Sequence, residues 1–214
     1  MTDELELLKQ DWQKKEAHLP KLTYDEIYKM IWKKSSSIVK WIFYISIIEF
    51  VFWAGINIIF SDPESMQELK AMHIYNIMMV SNFINYAVIL YFIYKFYTNY
   101  RKISFTDSSK KLMKTILDVK KTVTQYVWFN LIIFAITMII SIYSIFIYGP
   151  ESNKIMANVM QEHNEATFWF LAVLVCIIFT AIFLVLIWLF YKLLYGILLK
   201  RLRANYNELK KLEV

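Results

Sequence analysis

The sequence has little with which to turn and less with which to cross-link. Its 214 residues include three glycines and three prolines. That scarcity excludes glycine-rich phosphate loops and argues against a β-barrel with many tight turns. The single cysteine, Cys176, lies inside an apolar run. One thiol makes no internal disulfide, and there is no cysteine cluster for zinc or an iron–sulfur centre. The three histidines, His18, His73 and His163, are scattered along the chain. His163 sits in "QEHNEA", an acidic cluster without metal-ligand spacing. Gly-x-Ser-x-Gly, His-Glu-x-x-His and a phosphate-binding loop are all missing. No catalytic, cofactor or metal residue is therefore expected, and the chain reads as non-enzymatic.

What is abundant is apolar surface. Hydrophobic residues make up 58% of the chain and the mean hydropathy is +0.40. A soluble domain is nearer half apolar, so the surplus points to lipid. A bilayer core of about 30 Å takes roughly 20 helical residues. Four segments qualify: about 38–60, 74–97, 126–148 and 167–191. Helices are expected because backbone polar groups in lipid must be paired within the segment. The start, "MTDELELLKQ", is acidic and amphipathic, unlike a secretory signal peptide.

The net charge of +6 is distributed unevenly. The N-terminal flank up to Lys40 holds eight Lys and Arg, eight lie between 95 and 121, and six lie from Lys192 onward. The other two loops hold Lys70 and Lys154 alone. Both termini and the middle loop are therefore expected in the cytoplasm. Trp41, Tyr97, Tyr100, Tyr126, Trp128, Tyr191 and Tyr195 would mark the inner boundary; Tyr75, Tyr148 and Trp169 would mark the outer one. Basic residues at membrane edges do not suggest direct nucleic-acid binding.

"KKSSSIVKWIFYISIIEFVFWAGINIIFSDPES", from Lys33, aligns without gaps on "KKTVTQYVWFNLIIFAITMIISIYSIFIYGPES", from Lys120. The two share the opening lysines, a tryptophan (Trp41 and Trp128) and the closing Pro-Glu-Ser. Such a pair reads as an internal repeat of two hairpins with the same orientation. The expected fold is all-α, an integral membrane four-helix bundle of two parallel-repeat hairpins. The organisation is a cytoplasmic head (1–36), a first hairpin (37–97), a linker helix (98–122), a second hairpin (123–192) and a tail (193–214). Thr23-x-x-Glu26 is a capping-box pattern that starts a helix with Ile27, Met30 and Ile31 on one face. Leu112, Met113, Ile116, Leu117 and Val123 form a second apolar stripe, and Leu202, Tyr206, Leu209 and Leu212 a third. The three elements can pack together, lie on anionic lipid or dock a soluble protein.

Glu49 is the anomaly, eight residues into the first span from Trp41. An ionised carboxylate near the bilayer centre costs at least about 2.5 kcal/mol, so it is expected protonated or paired in the bundle. Asn82, Asn85 and Thr137 lie at comparable depth, with Ser141 nearby. Together with Glu49 they form a candidate intramembrane polar site, either a proton- or cation-coupled centre or a packing contact, across a homo-oligomer in one arrangement. Glu49 aligns with Ile136, so the repeat does not duplicate it.

"ELELLKQDWQKKEAHLPKLTYDEIYKMIWKKSSSIVKWI", "KLMKTILDVKKTVTQYVWFN" and "YKLLYGILLKRLRANYNELKK" resemble a family of short flavobacterial four-span inner-membrane proteins. Members often carry the label β-carotene monooxygenase. That fold is a β-propeller holding iron through four histidines, which three scattered histidines and a helical pattern contradict. The start "LKQDW" followed by "YDEIYKMIWKKSSS" also resembles the heads of membrane-anchored anti-sigma-like proteins. That resemblance implies a membrane-tethered regulatory protein, with Leu5, Leu8, Trp12, Ile27 and Ile31 facing a cytoplasmic partner such as a sigma factor. The alternative is a small transporter or channel-like oligomer centred on Glu49.

Overall fold

The computed structural model describes residues 23–59, 61, 63–71, 73–104, 106, 108–148 and 165–212, together with Glu6 and Lys9. Every regular element among them is helical. In chain order these are α1 (Tyr24–Ile59), α2 (Pro63–Ala71), α3 (Tyr75–Ser104), α4 (Ser109–Tyr148) and α5 (Glu165–Tyr191). A π-helical turn, Lys192–Gly196, joins α5 to α6 (Ile197–Leu212). Four of the resulting rods are long and apolar enough to cross a membrane. The chain is a multi-pass membrane protein.

The helices do not stop where the apolar runs stop. The expected linker helix is the first part of α4, which continues unbroken through the third span. Likewise α3 runs past Tyr97 to Ser104, and the tail continues the fourth span. The reason lies in the stripes. Leu112, Ile116 and Val119 of α4, Ile103 of α3, Ile31 of α1 and Leu202 and Leu209 of α6 are all buried in one cluster. Each lies among lysines and arginines, outside the apolar windows. There the hydrophobic effect in water drives packing, whereas between spans lipid is as apolar as the side chains. Accordingly at most 17% of any span's most apolar stretch is buried, and none of the last one's. The tightest core therefore belongs to the basic end of the bundle.

Local chemistry fixes the element ends. Thr23 and Glu26 form the capping box: the Thr23 backbone N–H donates to Glu26 Oε2 at 2.8 Å, and the Glu26 N–H donates to Thr23 Oγ1 at 3.4 Å. These bonds hold the exposed Glu26 carboxyl below the usual carboxylate range, the backbone donor contributing most and the hydroxyl next. Trp32 Nε1 donates to the Ile103 carbonyl at 2.8 Å and the Tyr28 hydroxyl to the Thr106 carbonyl at 3.2 Å, tying α1 to the α3–α4 turn. At the opposite end, Pro63 opens α2, where its missing N–H costs nothing. His73 closes it with φ 57°. Its N–H donates to Lys70 O and that of Ile74 to Leu69 O, a Schellman pattern.

Two buried clamps tie the hairpins to each other. Asn205 Nδ2 of α6 donates to Ser35 Oγ of α1 at 2.9 Å, and Asn99 Nδ2 of α3 donates to Thr122 Oγ1 of α4 at 3.2 Å. Ser35 and Thr122 occupy the same place in the two aligned 33-residue stretches. Each takes its bond from the closing helix of the other hairpin.

Candidate functional site

Glu49 is 6% exposed, on the inward face of α1. The Tyr191 hydroxyl donates to its Oε1 at 2.6 Å and the Tyr195 hydroxyl to its Oε2 at 3.0 Å. Both phenols reach the same carboxylate because they lie four residues apart across the π turn. Their rings stack with centroids 6.1 Å apart and planes 25° from parallel. Single π turns inside α-helices occur frequently at functional sites. Tyr126 of α4 packs edge-on against both rings at 6.1 and 6.0 Å. Its own hydroxyl is buried beside the carboxylate without a hydrogen bond of ordinary geometry. Phe92 and Phe96 of α3 close the aromatic wall, 5.4 and 5.7 Å from the Tyr126 ring.

The cluster suits a carboxyl group in either protonation state. An ionised Glu49 accepts from both phenols, one at each oxygen. A protonated one donates through one oxygen, and the phenol there turns from donor to acceptor. No lysine or arginine among the described residues neutralises Glu49. The proton, not a fixed counter-charge, is the natural partner of such a site.

Next to it, away from the basic end, is a partly enclosed cavity of about 290 Å³ between all four spans. Asn57, Ser81, Asn82, Asn85, Thr137 and Ser141 line it, with Asn130 and Tyr191 at the end nearest Glu49. The Asn85 Oδ1 is buried there without a hydrogen-bond partner. Thr137 Oγ1 bonds the carbonyl of Ile133 on its own helix at 3.0 Å. Asn130 Nδ2 bonds that of Tyr126 at 2.8 Å. Tyr191 belongs to both environments, facing the cavity and bonded to Glu49.

The structure thus divides the expected polar site. Asn82, Asn85 and Thr137 come together as cavity walls, and none of them hydrogen-bonds Glu49. Counting residues gives the depth of a Cα atom, not where a long side chain ends. Glu49 is met instead by tyrosines that the sequence pattern assigned to the inner boundary. Tyr126, Tyr191 and Tyr195 are 0, 5 and 1% exposed and do not form an interfacial belt. Trp41 and Trp128, 57 and 61% exposed, fit that description better. The overlooked signal was "YKLLY", two tyrosines at helical spacing at the end of a span.

The expected partner-binding face divides as well. Ile31 is 3% exposed and Ile27 half-buried against the core, so both serve the chain's own packing and leave the face expected for a soluble partner. Their periodicity marked an apolar stripe, and α3, α4 and α6 cover it. Leu5, Leu8 and Trp12 lie outside the described residues. Among the described residues no group of three or more His, Cys, Asp or Glu could hold a metal ion.

No curated protein and no solved structure matches the chain. A family model does match, from residue 25 to residue 214. The match takes in Glu49, the three tyrosines and the cavity, and begins after Leu5, Leu8 and Trp12. On that extent the chain belongs to DUF8845, a family described as a domain of unknown function.

Proposed function

We propose that this protein is a small, non-enzymatic transporter- or channel-like membrane protein that takes up a proton or small cation at Glu49. The observation that carries the reading is the buried carboxylate beside a polar cavity lined by all four spans, with Tyr191 shared between them. Intramembrane carboxylates facing a bundle interior or cavity mark ion and proton pathways. The basic flanks support an inner-membrane location with both termini in the cytoplasm, so the cavity lies on the outer side of Glu49. The aligned hairpins and their equivalent Ser35 and Thr122 clamps support the reading of a duplicated scaffold with one unduplicated carboxylate.

The test is proton flux in proteoliposomes holding the full chain, with a pH-sensitive dye inside and an imposed membrane potential. Wild-type vesicles are expected to acidify or alkalinise with the sign of the potential, and Glu49→Gln vesicles to stay at the protein-free rate. Equal flux in both would sink the reading. The regulatory alternative predicts a different pattern: loss of function on deleting residues 1–21, with Glu49→Gln silent.

A further inference from the structure

The basic end carries a second cavity, of about 530 Å³, between α1 and α6. Lys33 and Lys34 converge on it from α1 and Arg201 from α6, while Ile38, Ala204 and Asn205 form its base. No carboxylate lines it. The three cations are exposed, and the base is buried at Ile38 and Asn205. Asn205 is the residue clamped to Ser35 at 2.9 Å, so the two helices that carry the charges are held in fixed register. A flexible basic surface lacks this feature.

Depth supplies the second constraint. Trp41 on the same helix is 57% exposed, as an interfacial anchor is. Ser37 and Lys34 precede it by four and seven residues, roughly 6 and 10 Å at about 1.5 Å per residue. Headgroups occupy roughly the first 5–8 Å beyond the hydrocarbon edge. Ser37 is therefore level with the headgroups, and Lys33 and Lys34 start just beyond them on side chains long enough to reach back to lipid phosphates. Arg supplies a planar fork of donors that matches phosphate oxygens, and two adjacent lysines supply compact charge.

We infer that Lys33, Lys34 and Arg201 form a phosphate-binding site that takes the phosphoryl headgroup of an anionic lipid. The inference does not depend on Glu49. Basic pockets between spans on the cytoplasmic side are suited to such headgroups. Free phosphate is the other source of the same chemistry.

The experiment uses the full chain in neutral detergent, titrated with phosphatidylglycerol or phosphatidylcholine and read by native mass spectrometry. One variant carries Lys33→Gln, Lys34→Gln and Arg201→Gln. The control removes equal charge away from the cavity, through Lys120→Gln, Lys121→Gln and Arg203→Gln. Lys120 and Lys121 are the aligned lysines of the second hairpin, and all three control side chains are exposed. Phosphatidylglycerol is expected to bind at least tenfold more tightly than phosphatidylcholine to the wild type and the control, and equally to the cavity variant. Displacement of phosphatidylglycerol by millimolar inorganic phosphate in the wild type and the control, but not in the cavity variant, would retain the site and reassign its source to free phosphate. Equal losses of selectivity in both variants, or no selectivity in the wild type, overturn the proposal.

Discussion

At the scale of the residue, Glu49 shows that a costly group is made tolerable by partners rather than by depth. Two phenols serve two oxygens. Tyr195→Phe removes one donor and keeps the ring, so it isolates the hydrogen bond from the packing. The expected cost is about 1–2 kcal/mol, read as a lowered midpoint of thermal unfolding in detergent, with Tyr191→Phe similar. An unchanged midpoint in both would mean that the phenols do not hold the carboxylate. Glu49 itself was legible in the sequence because an acid in an apolar run contradicts its surroundings. Its partners were not. Tyrosines at the end of a span fit an interfacial belt equally well, and only the burial of Tyr126, Tyr191 and Tyr195 separates the two roles. Asn99 and Asn205 were hidden for a similar reason, since an asparagine among charged residues reads as a solvated one.

At the scale of the element, the governing fact is that helices continue through the membrane edge. The amphipathic stripes at 112–123 and 202–212 were readable, and so was the capping box at Thr23. Continuity was not, because periodicity is the same on either side of a join and only tertiary packing decides whether the helix is broken there. The cap gives a prediction with a definite sign. Glu26 is held below the ordinary carboxylate range by Thr23, so its contribution to the first turn of α1 is present above the unfolded value, about 4.3. It is lost as pH falls through the lower folded value. Protection of the amides of residues 25–27 from hydrogen exchange, taken relative to their intrinsic rates at each pH, should fall in the wild type as pH drops through the folded value of Glu26. In Thr23→Ala the amides should already exchange fast at neutral pH, with the Glu26 titration moved upward. Identical pH profiles for the two proteins would refute the cap as the cause.

At the scale of the whole molecule, the bundle has one well-packed end in water and a looser remainder in lipid, and the division falls where Lys and Arg begin. That arrangement makes orientation testable as a single quantity. A fluorescent reporter fused after Val214 is expected to mature, and one inserted after Leu69 to stay dark, because green-type reporters fold in the cytoplasm and fail when exported unfolded. The opposite pattern would move the basic cavity between α1 and α6 to the outer face. Span number and charge bias could be counted from the sequence, whereas the cavity walls needed the helices to be placed side by side. The pairing of Glu49 with Tyr191 has a final consequence, which concerns time. The partners are 142 residues apart. At about 5–20 residues per second, roughly 7–30 s of synthesis separate the acid from its first donor. For that interval a nascent chain holds a carboxyl group in lipid with no phenol to receive it. A chain cut short before Tyr191 never leaves that state, and its acid keeps the full cost of insertion that the first phenol would have offset.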